Sequence, residues 1–207
     1  MSLILSLQGC MAVGKTTALK YINENVPYVK ISYEINTDII EQINSRNLNK
    51  NQYEDYIEIQ KLWINKEIKR WNIAQQYACT IMDFGAAEIE FYSLNHPKTI
   101  GKNWKVENGL YKELIGLRKC MPNRTLFLEA NEETLRRNKE QDSMLPRNSF
   151  EHHLKYLLPL KKEWFIGRED VDVLSVDELN KDEVGIKVKE WIDKCIYQMD
   201  RTSNISI

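Results

Sequence analysis

The chain has 207 residues, enough for one substantial core, and its 43% hydrophobic and 29% charged residues exclude disorder and a membrane-embedded protein as starting assumptions. Its 29 Lys and Arg against 30 Asp and Glu leave a formal net charge of -1, so no global basic field recruits polymeric nucleic acid. Cys10, Cys79, Cys120 and Cys195 are widely spaced with no CxxC, which disfavours a zinc site or a disulfide framework and reads as reduced thiols. No apolar stretch approaches the roughly 20 residues that span a bilayer, so no membrane association and a cytoplasmic location are expected.

In chain order, LILSL (Leu3 to Leu7) suits a buried strand, and Lys15 to Asn25 follows as a helix. YVKISYE (Tyr28 to Glu34) alternates like a strand, Thr37 to Arg46 is helical, and NLNKNQ (47–52) is a polar loop. Apolar residues at helical spacing from Tyr53 to Tyr77 predict one long amphipathic helix. ACTIMDF (78–84), RTLFLEA (124–130) and VDVLSV (171–176) are further buried strands, with helices around 104–119, 131–139, 148–165 and 180–198. Strands alternating with helices of ten or more residues imply parallel pairing in a layered α/β domain. One domain over 1–200 is expected, with the polar end 201–207 frayed.

Between the first strand and first helix, Gly9-Cys10-Met11-Ala12-Val13-Gly14-Lys15-Thr16 fits GxxxxGK[ST], the phosphate-binding loop, in its required strand-to-helix context. Glycine lets the main chain curl so that successive N–H groups face an anion, assisted by the helix N-terminus. Lys15 is then expected on the β- and γ-phosphates, with the Thr16 hydroxyl on Mg²⁺ and Thr17 as a second hydroxyl. Cys10 contributes its backbone rather than its thiol. Asp83-Phe84-Gly85 spells the DFG of protein kinases, but no HRD precedes it. Asn180-Lys181-Asp182-Glu183 departs from a guanine-reading NKxD at its fourth residue, which argues against a GTPase.

Several stretches together resemble the deoxynucleoside kinase and thymidylate kinase branch of P-loop proteins. GCMAVGKTT looks like that family's GxxAxGKST loop, and SYEINTD places Glu34 where the family has its acceptor-side carboxylate. IMDF ends the third strand with Asp83, the acidic residue of the family's [DE]R[ST] motif. LFLEANEETLRRNKEQD and FEHHLKYLLPLKKEW resemble the fourth strand, an arginine-bearing lid over about 134–150 and the helix after it. VDVLSVDELNKDEVGIKVKEWI is similar to the fifth strand and closing helix, whose connecting loop packs on adenine.

The resemblance implies a three-layer α/β/α P-loop fold with a five-stranded parallel sheet of order 2-3-1-4-5. It implies ATP and Mg²⁺ as cofactors, a small-molecule phosphoryl acceptor and a possible homodimer. Glu34 and Asp83 would manage the acceptor, Asp83 also serving the metal, and Arg136, Arg137 and Arg147 would supply lid cations. Gln60 on the long helix would read a nucleobase edge, and Tyr53, Tyr56, Trp63, Trp71, Trp104 and Tyr111 are alternatives as pocket or core residues. His152 and His153 read as packing residues.

Three positions depart from the family pattern: Phe84 where [DE]R[ST] has arginine, Ile35 in place of a proline, and Gln141 near a second lid arginine. The expected activity is ATP- and Mg²⁺-dependent phosphoryl transfer to a nucleoside or nucleotide. Two alternatives stay open, namely a phosphotransferase for an antibiotic, vitamin precursor or nicotinamide riboside, and a non-catalytic nucleotide-binding regulator.

Overall fold

The computed structural model describes residues 2–141 and 147–205, with the side chains of 147, 148 and 202–205 outside the description. Five strands form one parallel sheet: β1 (Leu3–Gly9), β2 (Lys30–Ser32), β3 (Cys79–Asp83), β4 (Arg124–Glu129) and β5 (Val171–Ser175). Their spatial order is β2-β3-β1-β4-β5, as expected. β1 lies in the centre, with Leu7 opposite Asp83 of β3 on one side and opposite Leu126 of β4 on the other.

Both faces of β1 are covered, which explains its unbroken burial. Leu3, Leu5 and Leu7 join one core with Ala18, Leu19 and Ile22 of α1 (Lys15–Asn25) and Val188 and Ile192 of α10 (Lys181–Ile205). Burying Leu19 and Ile22 completely contributes about 1.5–3 kcal/mol each. On the opposite face Ile4 packs with Met82 and with Ala74 of α3 (Tyr53–Ala74), while Phe127 of β4 meets Phe165 of α9 (Leu158–Phe165). The remaining helices are α2 (Thr37–Ser45), α4 (Ala86–Thr99), α5 (Val106–Gly109), α6 (Tyr111–Arg118), α7 (Glu132–Glu140) and α8 (Arg147–His152). This is the three-layer α/β/α arrangement.

Four differences from the sequence reading have physical causes. α4 was not expected: Glu90, Ser93, Asn95 and His96 are buried along with Ala86, Ala87 and Phe91, so polar residues interrupt the apolar stripe that would mark a helix. The helix expected over 104–119 divides at Gly109, where a Cβ would lie 2.7 Å from Ile57 Cδ1. The helix expected over 148–165 contains a π-helical turn, His153–Leu157, just before Pro159; proline cannot donate to Lys155 and its ring crowds that carbonyl, which a wider turn relieves. The helix expected over 180–198 runs on to Ile205, with the Arg201 guanidinium 5.7 Å from the Tyr197 ring centroid one turn back.

Candidate phosphate-loop cleft

The C-terminal ends of β1, β2 and β3 open onto a cleft of about 1030 Å³, placed where open parallel sheets bind ligands. One wall is the loop that leaves Gly9, through its residues Met11 to Thr17. Gly9 has φ +142° and a Cβ there would lie 2.6 Å from the Leu128 carbonyl oxygen, so the strand can turn this close to β4 only with glycine. Ala12 adopts φ +63°, and Gly14 caps α1 with no side-chain hydrogen bond, which leaves the first N–H groups of the helix for an anion.

Lys15 is buried, and its Nζ donates to the Gly9 and Cys10 carbonyls at 3.2 and 2.8 Å while lying 4.5 Å from the Phe84 ring centroid. Burial first, and then the neighbouring Lys161, lower its pKa to about 8, with Asp83 acting in the opposite sense. Burial raises the Cys10 thiol, which fits a backbone role for this residue. Met11, Val13, Thr16 and Thr17 also line the cleft.

Across from the loop stand the two expected carboxylates. Asp83 ends β3 beside Leu7 of β1; its Oδ1 is buried with no hydrogen-bond partner, and burial raises its pKa against the opposing effects of Lys15, Arg70 and the Glu34 backbone N–H. Glu34 follows β2, and its pKa too is raised, by burial and then by the charge of Asp83. An unpartnered carboxylate oxygen near a phosphate loop suits a hydrated Mg²⁺, and Thr16 and Asp83 are the residues here that would hold one together with the phosphates. Among the described residues no group of three His, Cys, Asp or Glu is placed to hold a metal ion by itself.

Gln60 is buried on α3 and lines the cleft, its Oε1 accepting from Ser93 Oγ at 2.8 Å, which turns its NH₂ away from Ser93. Trp63 also lines the cleft. Tyr56 and Trp104 pack against each other at 5.4 Å between centroids, Tyr53 and Trp71 join the same apolar cluster, and Tyr111 is exposed on the surface. Those five are core or surface residues and do not line the cleft.

From α7 and the residue after it, Arg137 and Gln141 line the cleft and Asn138 Nδ2 donates to the Ala12 carbonyl at 3.0 Å. Arg136 does not join them: it is half exposed and tied to Glu132 at 2.7 Å and Glu151 at 2.6 Å, so its charge is spent on the surface. The Arg147 side chain lies outside the described residues. His153 reaches the cleft with Nδ1 2.8 Å from the Ser149 carbonyl, and burial lowers its pKa. His152 instead meets Thr99 Oγ1 at 2.9 Å. At the far end, Leu179, Asn180 and Val184 form a wall. Asn180 caps α10 by accepting from the Asp182 and Glu183 N–H groups at 3.0 Å, and Glu183 reaches back to the Asn180 N–H at 2.7 Å. The NKxD-like string is therefore a capping box.

Sequence reasoning missed two cations. Lys161 of α9 is buried, pairs with Glu88 at 2.7 Å and donates to the Gly9 carbonyl at 3.1 Å, the oxygen that Lys15 also uses. A lysine on the stripe Leu157, Lys161, Phe165 was the available signal. Arg70 of α3 joins β2 to β3, donating to the Ser32 hydroxyl at 3.1 Å and the Asp83 carbonyl at 2.8 Å while pairing with Glu67 at 3.1 Å. The polar residues of β1 were a further signal: Ser6 Oγ and Gln8 Nε2 both donate to the Phe84 carbonyl, holding Phe84 at φ +65°.

No protein-family model and no curated protein sequence matches the chain. Among solved structures, thymidylate kinase from Candida albicans superposes with a TM-score of 0.63 over 93% of this chain and 92% of its own length, at 15% identity. The fold is the three-layer α/β/α P-loop fold. Among the described residues no helix is long and apolar enough to cross a membrane, and all four cysteines are free and buried.

Proposed function

We propose that the chain transfers the γ-phosphoryl group of ATP to a hydroxyl of a small molecule of the nucleoside or nucleotide class. The observation that carries this reading is the meeting, in one cleft, of a complete phosphate loop with two partly buried carboxylates, one of which has an unpartnered oxygen. The loop amides and Lys15 bind the phosphates, and Thr16 and Asp83 hold Mg²⁺, which supplies charge neutralisation on the transferring group when bound. Glu34 accepts the proton of the acceptor hydroxyl as its oxygen bonds to phosphorus and the bond to ADP breaks. A raised Glu34 pKa strengthens it as a base. Arg137 covers the transferring group, and the wall of Leu179, Asn180 and Val184 receives the donor base.

Phe84 favours a second reading, in which the acceptor is another small alcohol such as an antibiotic, a vitamin precursor or nicotinamide riboside, because the family's arginine is missing there. The test is incubation with γ-labelled ATP, Mg²⁺ and separate pools of these acceptors, with Lys15→Ala as control. Label in one pool, reduced about 10²–10³-fold by Lys15→Ala, is the expected result. Tight ATP binding with no label in any pool would replace catalysis by the regulatory alternative.

A further inference from the structure

The charges in the cleft are divided. Its lining cations, Lys15, Lys20, Arg137 and Lys181, belong to the phosphate loop, α1, the lid helix α7 and the start of α10. The half beyond Lys15, at the ends of β2 and β3, presents Glu34, Asp83 and Glu88 together with Phe84, Trp63 and Tyr92. The ammonium groups nearest that half among the described residues are Lys161 Nζ and Lys15 Nζ, 5.1 and 4.5 Å from the Phe84 ring centroid, and Lys15 already donates to the Gly9 and Cys10 carbonyls.

The cations that lie nearby are already engaged with the protein. Arg70 is consumed by Ser32, Asp83 and Glu67, and Lys161 by Glu88 and Gly9. Lys66 bonds Asp38 and the Ile35 carbonyl on the outside of β2. Against this, Asp83 Oδ1 and Glu88 Oε2 are both buried with no partner. Mg²⁺ at Asp83 would answer one negative charge and leave that of Glu34 facing the acceptor.

A phosphate monoester bound there would bring two more negative charges into a partly buried acidic half where the nearby guanidinium and ammonium groups among the described residues are already engaged with the protein. A ring held by Trp63, Tyr92 and Phe84 and carrying a free hydroxyl meets no such penalty. We infer that the acceptor bears no phosphate: it is an uncharged, ring-containing alcohol, which within the proposed class means a nucleoside and excludes a nucleotide. This rests on the phosphotransfer reading above, and it separates the chain from its structural neighbour, whose name is that of a kinase acting on a nucleotide.

Adenosine 5′-tetraphosphate and 5′-pentaphosphate test this without knowledge of the acceptor, because their added phosphates extend past the γ position into the acidic half. In competition against a fluorescent ATP analogue with Mg²⁺, the pentaphosphate is expected to bind at least about tenfold more weakly than ATP. Glu34→Gln is expected to restore most of that loss, which a purely steric clash would not allow. A pentaphosphate that binds the wild-type protein as tightly as ATP overturns the inference and leaves the donor site intact. Failure of ATP itself to bind removes the phosphotransfer reading and this inference together. In the labelling assay, product from nucleosides supports the inference, and product from nucleoside monophosphates overturns it.

Discussion

Replacing Lys161 by methionine keeps the stem of the side chain in its apolar surroundings and deletes only the ammonium. In the wild type that group sits 2.7 Å from the Glu88 carboxylate, an attraction of about 6 kcal/mol at an effective dielectric constant near 20, most of it offset by the desolvation of both ions. Removing one partner leaves the other side chain, only 14% exposed, without its counter-charge, and such truncations cost about 3–5 kcal/mol. The Gly9 carbonyl also loses a donor at 3.1 Å, worth about 0.5–1.5 kcal/mol, which corresponds to roughly 2- to 12-fold in ATP affinity if the loop relaxes. The double variant Lys161→Met/Glu88→Gln separates the two effects. Urea melts are expected to show stability mostly recovered in the double variant, while calorimetric titration shows ATP binding still weakened. A single variant that loses less than about 1 kcal/mol, or a double variant that binds ATP like the wild type, would refute the role assigned to Lys161.

Gly9→Ala is expected to lose ATP binding and several kcal/mol of stability, since the new methyl meets the Leu128 carbonyl, whereas Gly14→Ala meets no atom within 4 Å and should cost only the left-handed strain, about 1–2 kcal/mol; equal losses in chemical denaturation would contradict the packing described. Burial raises the Glu67 pKa to about 6, so the folded state holds a proton the unfolded state has lost, and stability falls as pH rises from 4.5 through 6. Glu67→Gln should therefore stabilise the protein by up to about 2 kcal/mol at pH 8 and leave it unchanged at pH 4, as urea melts at the two pH values would show. His96, stacked 4.7 Å from Tyr92, has its pKa lowered by burial to about 4, so the unfolded state takes up the extra proton and stability is lost as pH falls from 6.5 towards 4, by about 3 kcal/mol in full. His96→Phe should flatten that part of the acid limb, and an unaltered limb would remove His96 as its cause.

The turn from β1 into α1 was legible because its shape lies in the backbone: Gly9 and Gly14 stand where the chain curls through positive φ. The sheet order was legible only through resemblance, since apolar strands buried on both faces do not announce their neighbours. Among the aromatics of α3, helical spacing marked Tyr56 and Trp63 alike, and only the packing sends Tyr56 under Trp104 and Trp63 into the cleft. Arg70 and Lys161 were missed because a lysine or arginine in a helix usually reaches solvent, and although the stripe Leu157, Lys161, Phe165 hints that Lys161 is buried, nothing local shows that the carbonyl and carboxylate partners converge from other elements. Arg136 and Arg137 are adjacent letters, yet a rotation of about 100° between them sends one into ion pairs on the surface and the other towards the cleft.

The π-helical turn at His153–Leu157 absorbs one residue of chain length without altering the phase of α9. A π turn holds one residue more than an α turn over the same sweep about the axis, so deleting a single residue within it would restore regular α-helix and leave both flanks facing as they do now. Lys161 would keep Glu88 and Gly9 within reach, and Phe165 would stay against Phe127. Relatives that share the lysine contact are for this reason free to lack one residue in this segment, and an alignment that opens a one-residue gap there would be pairing helices that face the same way.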